Sequence, residues 1–203
     1  NNTRRLHESR CTEQEPSPHK IRTNTSETEI RDMNEKLRKI VTSAVFAALI
    51  CAATMLIQIP TLTKGYVNLG VCFVLIAGWV CGAQWGFAAA GIGSALADII
   101  SGYAVYAPGT LVIKGVMAVI AALVAAAFKN HVTVGRIASA VTAELFMAFG
   151  YFQYEWLFIT GSFENSVIGI PENLIQGAVG VLSSVAVITA LERTKALSML
   201  RLK

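Results

Sequence analysis

The sequence predicts an all-α integral membrane protein with six transmembrane helices and a disordered N-terminal tail. Of its 203 residues, 54% are apolar and only 15% are charged, whereas a soluble domain carries about 25% charged residues. The charges concentrate before residue 40 and after residue 192. Between them, several apolar segments approach the ~20 residues that are needed to cross a bilayer. These segments lie near residues 38–58, 69–83, 85–101, 109–128, 136–160 and 172–192.

Residues 1–35 are predicted to be a disordered cytosolic tail. They are rich in Thr, Glu and Arg, and such a composition buries too little apolar surface to fold. Met33 opens a natural start, so residues 1–32 are interpreted as either a tag or upstream sequence. Residues 36–203 then form one six-helix membrane domain.

The segment GAQWG at residues 82–86 separates the second span from the third. One fused span would be much longer than a bilayer requires. Glycine, glutamine and tryptophan together suit a membrane interface rather than its centre. Two spans are therefore predicted here.

The positions of the basic residues predict the orientation. With six spans every basic cluster falls on one side, which the positive-inside rule makes the cytoplasm, so both termini are expected inside. With five spans the terminal clusters would lie on opposite sides. The loops on the other side contain a single base, Lys64. The clusters are Lys36, Arg38 and Lys39, then Lys129 and Arg136, and finally Arg193, Lys195, Arg201 and Lys203.

In this topology, polar residues from four helices and two loops lie at one depth near the outer surface. Ionisable groups inside apolar spans usually mark a substrate path or a partner. Donors, acceptors and aromatic faces in an apolar setting are typical of a site for a small polar ring. The predicted substrate-binding residues are Asn68, Asp98, Tyr106, Lys114, Tyr151, Glu155, Asn173 and Gln176.

Three of the ionisable residues have structural alternatives. Asp98 and Lys114 could form only a buried ion pair that ties two helices together, because breaking such a pair is costly whatever its purpose. Glu144 lies near mid-membrane and could make a structural hydrogen bond or couple transport to an ion.

Ala44, Ala48 and Ala52 form a stripe of small residues on the first span. In lipid, such a stripe lets another helix approach closely, either within this protein or from a partner. The sequence has no Walker motif, no nucleophile elbow, no HExxH and no zinc spacing. Neither an enzyme nor a resident metal or cofactor is therefore expected, and the lack of basic-aromatic interleaving argues against nucleic-acid binding.

Four stretches resemble the substrate-binding S components of energy-coupling factor (ECF) vitamin transporters, especially their riboflavin-type branch. They are GYVNLG at 65–70, GSALADIISGYAVYAPGTLVIKG at 93–115, ELFMAFGYFQYE at 144–155 and IPENLIQGAVG at 170–180. The resemblance covers about residues 36–192. One departure is Val71, where the family pattern has Asp after NLG.

The resemblance implies a six-helix subunit of the bacterial or archaeal cell membrane that captures a vitamin outside the cell. It implies partners, namely a transmembrane coupling subunit and two cytosolic ATPases, so that ATP is used by those partners and not by this chain. The alanine stripe would meet the coupling subunit. Loop one would cover the ligand, which makes Tyr66 and Asn68 candidate contacts.

The sequence thus predicts high-affinity capture of a small water-soluble vitamin or precursor. A B6-type or pyrimidine compound is favoured over riboflavin because the polar set is compact. The alternative is a stand-alone secondary carrier driven by protons or sodium, with Glu144 as its coupling site. A membrane-embedded enzyme is disfavoured, since no nucleophile or metal constellation is present.

Overall fold

The computed structural model describes residues 18–60, 66–128 and 130–194. The chain divides into residues 1–37 and a compact unit from Arg38 onward, and every feature below belongs to the latter unless stated. The elements are α1 (Pro18–Leu56), β1 (Gln58–Pro60), β2 (Tyr66–Asn68), α2 (Gly70–Ile100), α3 (Ala107–Ala127), α4 (Val132–Tyr154), a π-helical segment (Glu155–Thr160), α5 (Phe163–Val167) and α6 (Gly169–Arg193).

Helix α1 corrects part of the disorder prediction. Residues 18–35 were assigned to a disordered tail, but they are helical and continue into the first span. The physical reason is that residues 19–35 contain neither proline nor glycine, the two residues that disfavour a helix most strongly. Residues 1–17 lie outside the described residues.

Five helices in the described part of the chain are long and apolar enough to cross a membrane. The all-helical membrane architecture is therefore confirmed, while the count of six spans and the cytoplasmic position of both termini stay predictions. The five segments are Glu29–Leu56, Gly70–Ile100, Ala107–Ala127, Val132–Thr160 and Phe163–Arg193.

Helix α2 reverses direction near Gly82. A Cβ placed on Gly86 would lie 3.1 Å from the Cα of Gly78, although eight positions along a straight helix correspond to about 12 Å. The two ends of α2 are also close in space, because Tyr66, just before its start, hydrogen-bonds Asp98 near its end. A straight helix of 31 residues would separate its ends by about 45 Å. Helix α2 therefore has two arms, residues 70–81 and 83–100.

Gly82 permits this reversal through its backbone conformation, φ 79° and ψ −177°. This region is essentially restricted to glycine, and other residues pay about 1–3 kcal/mol there. We expect Gly82→Ala to lower the thermal unfolding temperature in detergent, whereas the exposed neighbouring change Gln84→Ala should leave it unaltered. Equal unfolding temperatures for both variants would contradict a strained reversal at Gly82.

The core of the unit is shared by all the long helices. Fully buried apolar side chains come from each of them, so burial of apolar and small side chains joins the helices into one bundle. One representative from each of α1, α2, α3, α4 and α6 is Ile50, Leu75, Met117, Met147 and Ile188.

Polar contacts at the end of the bundle that contains Gly82 tie α4 to its neighbours. Arg136 donates two hydrogen bonds to the Glu192 carboxylate, at 2.8 and 2.6 Å, and so joins the start of α4 to the end of α6. Trp79 Nε1, from the first arm of α2, donates to Ser139 Oγ at 3.0 Å. The opposite end of the bundle carries the polar pocket.

Candidate substrate pocket

A polar pocket lies where α1 ends, α2 begins and ends, and α3 and α6 begin. Its cavity volume is about 40 Å³. It has aromatic walls, carboxylates, amides, hydroxyls and one ammonium group. The lining residues are Thr54, Tyr66, Asn68, Ser94, Asp98, Tyr106, Thr110, Lys114, Tyr151, Glu155, Glu172, Asn173 and Gln176.

The structure brings all eight predicted substrate-binding residues into this one pocket. Asn68 comes from β2, Asp98 from the second arm of α2, and Tyr106 from the residue before α3. Helix α3 supplies Lys114 and α4 supplies Tyr151. Their convergence is a geometric finding, and their contact with a ligand stays a prediction. The last three positions are Glu155 in the π-helical segment and Asn173 and Gln176 in α6.

Four lining residues were missed by sequence reasoning. Ser94 precedes Asp98 by four positions and Thr110 precedes Lys114 by four, so helical spacing could have placed each on the same face as its charged neighbour. Glu172 lies beside the predicted Asn173. The place of Thr54 in the lining could be found only from the structure, because it depends on how closely α1 approaches the start of α2. A Cβ on Gly70 would overlap the Thr54 hydroxyl.

The β1–β2 pair borders the pocket, and β2 contributes Tyr66 and Asn68 to its lining. The strands are antiparallel, with Gln58 opposite Asn68. Asn68 N donates to Gln176 Oε1 at 2.8 Å, which attaches β2 to α6. Gln58 Nε2 donates to Ser101 Oγ at 2.8 Å, which attaches β1 to the end of α2. The two described strands of this hairpin are therefore each attached to a helix, β2 to α6 and β1 to the end of α2.

Gln176 should matter both for closing the pocket and for its polarity. Gln176→Ala removes the acceptor for Asn68 N and leaves that buried amide unsatisfied, at a cost of about 1–3 kcal/mol. We expect the affinity of the pocket for its ligand to fall about tenfold, as measured by titration calorimetry. The matched change Gln84→Ala, at an exposed position away from the pocket, should leave affinity unchanged. An unaltered affinity for Gln176→Ala would argue against this assignment.

Of the two oxygens of the Asp98 carboxylate, only Oδ1 accepts a hydrogen bond among the described residues. The Tyr66 hydroxyl donates to its Oδ1 at 2.5 Å, while its buried Oδ2 has no hydrogen-bond partner among the described side chains. Burial, reinforced by the charge of Asp98, raises the pKa of Tyr66 above its ordinary value, so this phenol remains a donor at physiological pH. Because buried acceptors are normally paired, Oδ2 is the atom best placed to accept a ligand donor.

Lys114 is 2% exposed and faces weak partners. Its Nζ donates to Met147 Sδ at 2.9 Å and lies 5.5 Å from the centroid of the Tyr151 ring. Thioethers are weak acceptors, and no carboxylate oxygen within the described residues lies close enough to form an ion pair with it. The tie between Asp98 and Lys114 that the sequence allowed is therefore absent as a direct contact, and the ammonium retains donor capacity.

Glu144 lies deeper, outside the pocket lining. It is 5% exposed, and neither carboxylate oxygen has a hydrogen-bond partner in the part of the chain that the structure describes. Two glycines of α6 make room for it, since a Cβ on Gly180 would lie 2.6 Å from its Oε1 and one on Gly177 would lie 3.1 Å from its Cβ. The structural hydrogen bond that the sequence allowed is not formed.

Val71 belongs to the core and not to the pocket. It is 1% exposed, and its Cγ1 lies 2.7 Å from the position of a Cβ on Gly180. An aspartate at this position would therefore sit near Glu144 rather than among the pocket residues. The departure at Val71 keeps a second carboxylate away from Glu144.

The alanine stripe lies on an open face of α1. Ala44, Ala48 and Ala52 are exposed and line an apolar groove between α1 and the second arm of α2. The neighbouring Ala47 makes the close internal contact, because a Cβ on Gly93 would lie 2.5 Å from its carbonyl oxygen. Packing among the described residues therefore leaves the stripe exposed, as the docking of a partner helix would require.

Comparison with known proteins agrees with this architecture. The family model for the S component of the ECF-type riboflavin transporter matches residues 34–193. A protein described as "Uncharacterized protein in gap 3'region" from Pyrococcus woesei is 32% identical over 135 residues, which cover 63% of this chain and 88% of that protein. The family match enters α1 at residue 34, covers the other long helices and includes every residue of the pocket. The chain therefore belongs to the family of ECF-type riboflavin transporter S components.

Proposed function

We propose that this protein captures a small water-soluble vitamin or vitamin precursor at the outer face of the membrane and passes it to an ATP-driven ECF transporter. Its family and its apolar helices make it a multi-pass cell-membrane protein that serves vitamin-type uptake and interacts with ECF subunits. Catalytic activity is not a property of this family. The observation that carries the proposal is one pocket that holds both an incompletely paired carboxylate and a weakly paired ammonium.

The proposed topology has six spans with both termini in the cytoplasm. The reversal at Gly82 supports it, because the two arms of α2 run in opposite directions and return the chain to the pocket side. Trp79, near the end of the first arm, contacts Ser139 near the start of α4, which puts the reversal at the end opposite the pocket. Arg136 and Arg193 lie at that same end, and the positive-inside rule makes it cytoplasmic.

The proposed ligand is a B6-type or pyrimidine compound. Asp98 Oδ2 requires a donor such as a ring hydroxyl, a hydroxymethyl or an amino group. Lys114 Nζ requires an acceptor stronger than a thioether, such as a phenolate or a ring nitrogen. A small heteroaromatic ring carries both kinds of group on its edge and can lie against Tyr106 and Tyr151. Riboflavin also carries both and is the next compound to test.

The proposed route into the cell requires partner subunits. The exposed alanine stripe would receive a helix of the transmembrane coupling subunit, since small residues allow the close backbone approach that drives helix association in lipid. Two cytosolic ATPases would supply the energy. In this scheme the present chain binds the vitamin and its partners use the ATP.

Uptake into proteoliposomes tests the scheme. We expect radiolabelled vitamin to accumulate only when the coupling subunit, both ATPases and internal ATP are present. We expect an alanine-stripe variant, Ala48→Leu, to retain vitamin binding while losing uptake. Accumulation by the chain alone would contradict the proposal.

A proton-coupled secondary carrier is the second candidate, and the unpaired buried carboxylate of Glu144 favours it. This alternative requires uptake without ATPases that is abolished by an uncoupler and by Glu144→Gln. The same proteoliposomes therefore separate the two functions.

A further inference from the structure

We propose that Thr160 is a positioning residue that fixes the Glu155 carboxylate in the pocket by holding the π-helical segment in its widened form. The inference rests on the proposed function, because it assumes that Glu155 contacts the vitamin. Thr160 does not line the pocket. It would act on Glu155 by holding the backbone carbonyl group of that residue.

The segment Glu155–Thr160 orients its residues in two directions. Its first residue, Glu155, is 3% exposed and faces the pocket. The following Trp156, Leu157 and Phe158 are 37%, 61% and 70% exposed. A π-helical turn widens the helix, and such turns are rare and concentrate at functional sites. In an ordinary α-helix a threonine hydroxyl reaches the carbonyl group three or four residues earlier, so a contact between Thr160 and the Glu155 carbonyl depends on the widened turn.

The Thr160 hydroxyl bridges the two ends of this segment. Its Oγ1 lies 3.1 Å from the carbonyl oxygen of Glu155, five residues earlier, which is the residue separation of a π-helical hydrogen bond. Ser162 N donates to the same Oγ1 at 3.2 Å. Ser166 Oγ lies 2.7 Å away.

The carbonyl oxygen of Ser162 also lies 3.0 Å from Thr160 Oγ1 and 3.0 Å from Ser166 Oγ. One proton arrangement uses the other three contacts of Thr160. Ser162 N and Ser166 Oγ donate to Thr160 Oγ1, and the Thr160 proton goes to the carbonyl oxygen of Glu155. A hydroxyl offers one donor and two acceptor sites, so Thr160 is then fully satisfied. Ser166 is 0% exposed, so this hydrogen-bonded cluster (Thr160, Ser162 and Ser166) extends into the protein interior.

Aromatic rings support the outer side of the same segment. Trp156 lies edge-on to Phe163 with 5.5 Å between the ring centroids, and Phe152 lies 6.2 Å from Trp156. These contacts join α4, the π-helical segment and α5. They do not involve Thr160, so they remain available to keep the segment packed against α4 and α5 when its hydroxyl is removed. Loss of the hydroxyl should therefore change the direction of Glu155 and leave the bundle folded.

The test is a double-mutant cycle on Thr160 and Glu155, with pyridoxine, hydroxymethylpyrimidine and riboflavin as probes. Thr160→Val keeps the shape and removes the hydroxyl, and we expect it to weaken binding of the compound that wild type recognises by about tenfold. Thr160→Ser restores the hydroxyl and should bind within about twofold of wild type. Thr189→Val is the control, because Thr189 makes only an ordinary helical bond to Val185 O. It should not alter affinity.

The double-mutant cycle distinguishes a positioning role of Thr160 from a general effect of the substitution on protein stability. If Thr160 acts through Glu155, adding Thr160→Val to Glu155→Gln should cause no further loss of affinity. Additive losses, or equal losses for Thr160→Val and Thr160→Ser, would overturn the inference.

Hydrogen exchange gives a second readout that needs no vitamin. Backbone amides of the π-helical segment should exchange at least tenfold faster in Thr160→Val than in wild type and Thr160→Ser. Unchanged exchange in Thr160→Val would also overturn the inference. If wild type binds none of the probes, the proposed function fails, and exchange alone still decides whether Thr160 holds the segment.

Discussion

Asp98→Asn is expected to weaken vitamin binding by roughly 10- to 150-fold. A hydrogen bond to a charged group contributes about 1.5–3 kcal/mol, and about 1.4 kcal/mol corresponds to a tenfold change in affinity. Asparagine keeps the shape of the side chain, but it replaces one carboxylate oxygen with an NH₂ donor. Titration calorimetry with the purified protein measures the change.

The control for Asp98 is Glu164→Gln. Glu164 is an exposed carboxylate of α5 that does not line the pocket, so the same chemical change should leave affinity unaltered there. Equal affinities of Asp98→Asn and wild type would remove Asp98 from the binding site. A loss shared by Glu164→Gln would indicate a general effect of charge rather than a contact.

Lys114→Met is expected to abolish detectable binding or to reduce affinity at least tenfold, while the folded protein stays as stable as wild type. Methionine is similar in length and removes a buried ammonium whose closest partner is a thioether. Burying an ammonium that is not in a direct ion pair is costly, so replacing it with an apolar side chain of similar length should not lower stability. Affinity is measured by calorimetry and stability by the thermal unfolding temperature in detergent.

The two readouts separate a ligand contact from a structural one. If Lys114 served mainly as the counter-charge of Asp98 or Glu144, Lys114→Met would lower the unfolding temperature strongly. If it contacts the vitamin, affinity falls and the unfolding temperature does not. Retained affinity with lowered stability would therefore contradict the role assigned to Lys114.

The convergence of the polar residues in one pocket could be predicted from the sequence better than the local backbone form could. Charged and amide side chains are costly within a bilayer, so their positions near helix ends restricted the site to one depth. Asp98, Lys114 and Gln176 consequently lie in the same pocket. The glycine-rich segment around Gly82 was correctly interpreted as a break, because an interior helix position rarely carries such residues.

Other features depend on packing between distant segments. The π-helical segment begins at Glu155 within an apolar run that has no sequence signal for a widened turn. The place of Thr54 in the pocket follows from the approach of α1 to Gly70. The unpaired state of Glu144 likewise depends on where Gly177 and Gly180 bring the backbone of α6. Single-sequence patterns report periodicity and composition, and they do not report these contacts.

Native mass spectrometry of the detergent-purified protein tests the central claim most directly. We expect a co-purified small molecule whose mass matches a pyridine, pyrimidine or flavin vitamin, and we expect its loss from Asp98→Asn prepared in the same way. A wild-type protein without any bound molecule, which also fails to bind the vitamin panel, would contradict vitamin capture by this pocket.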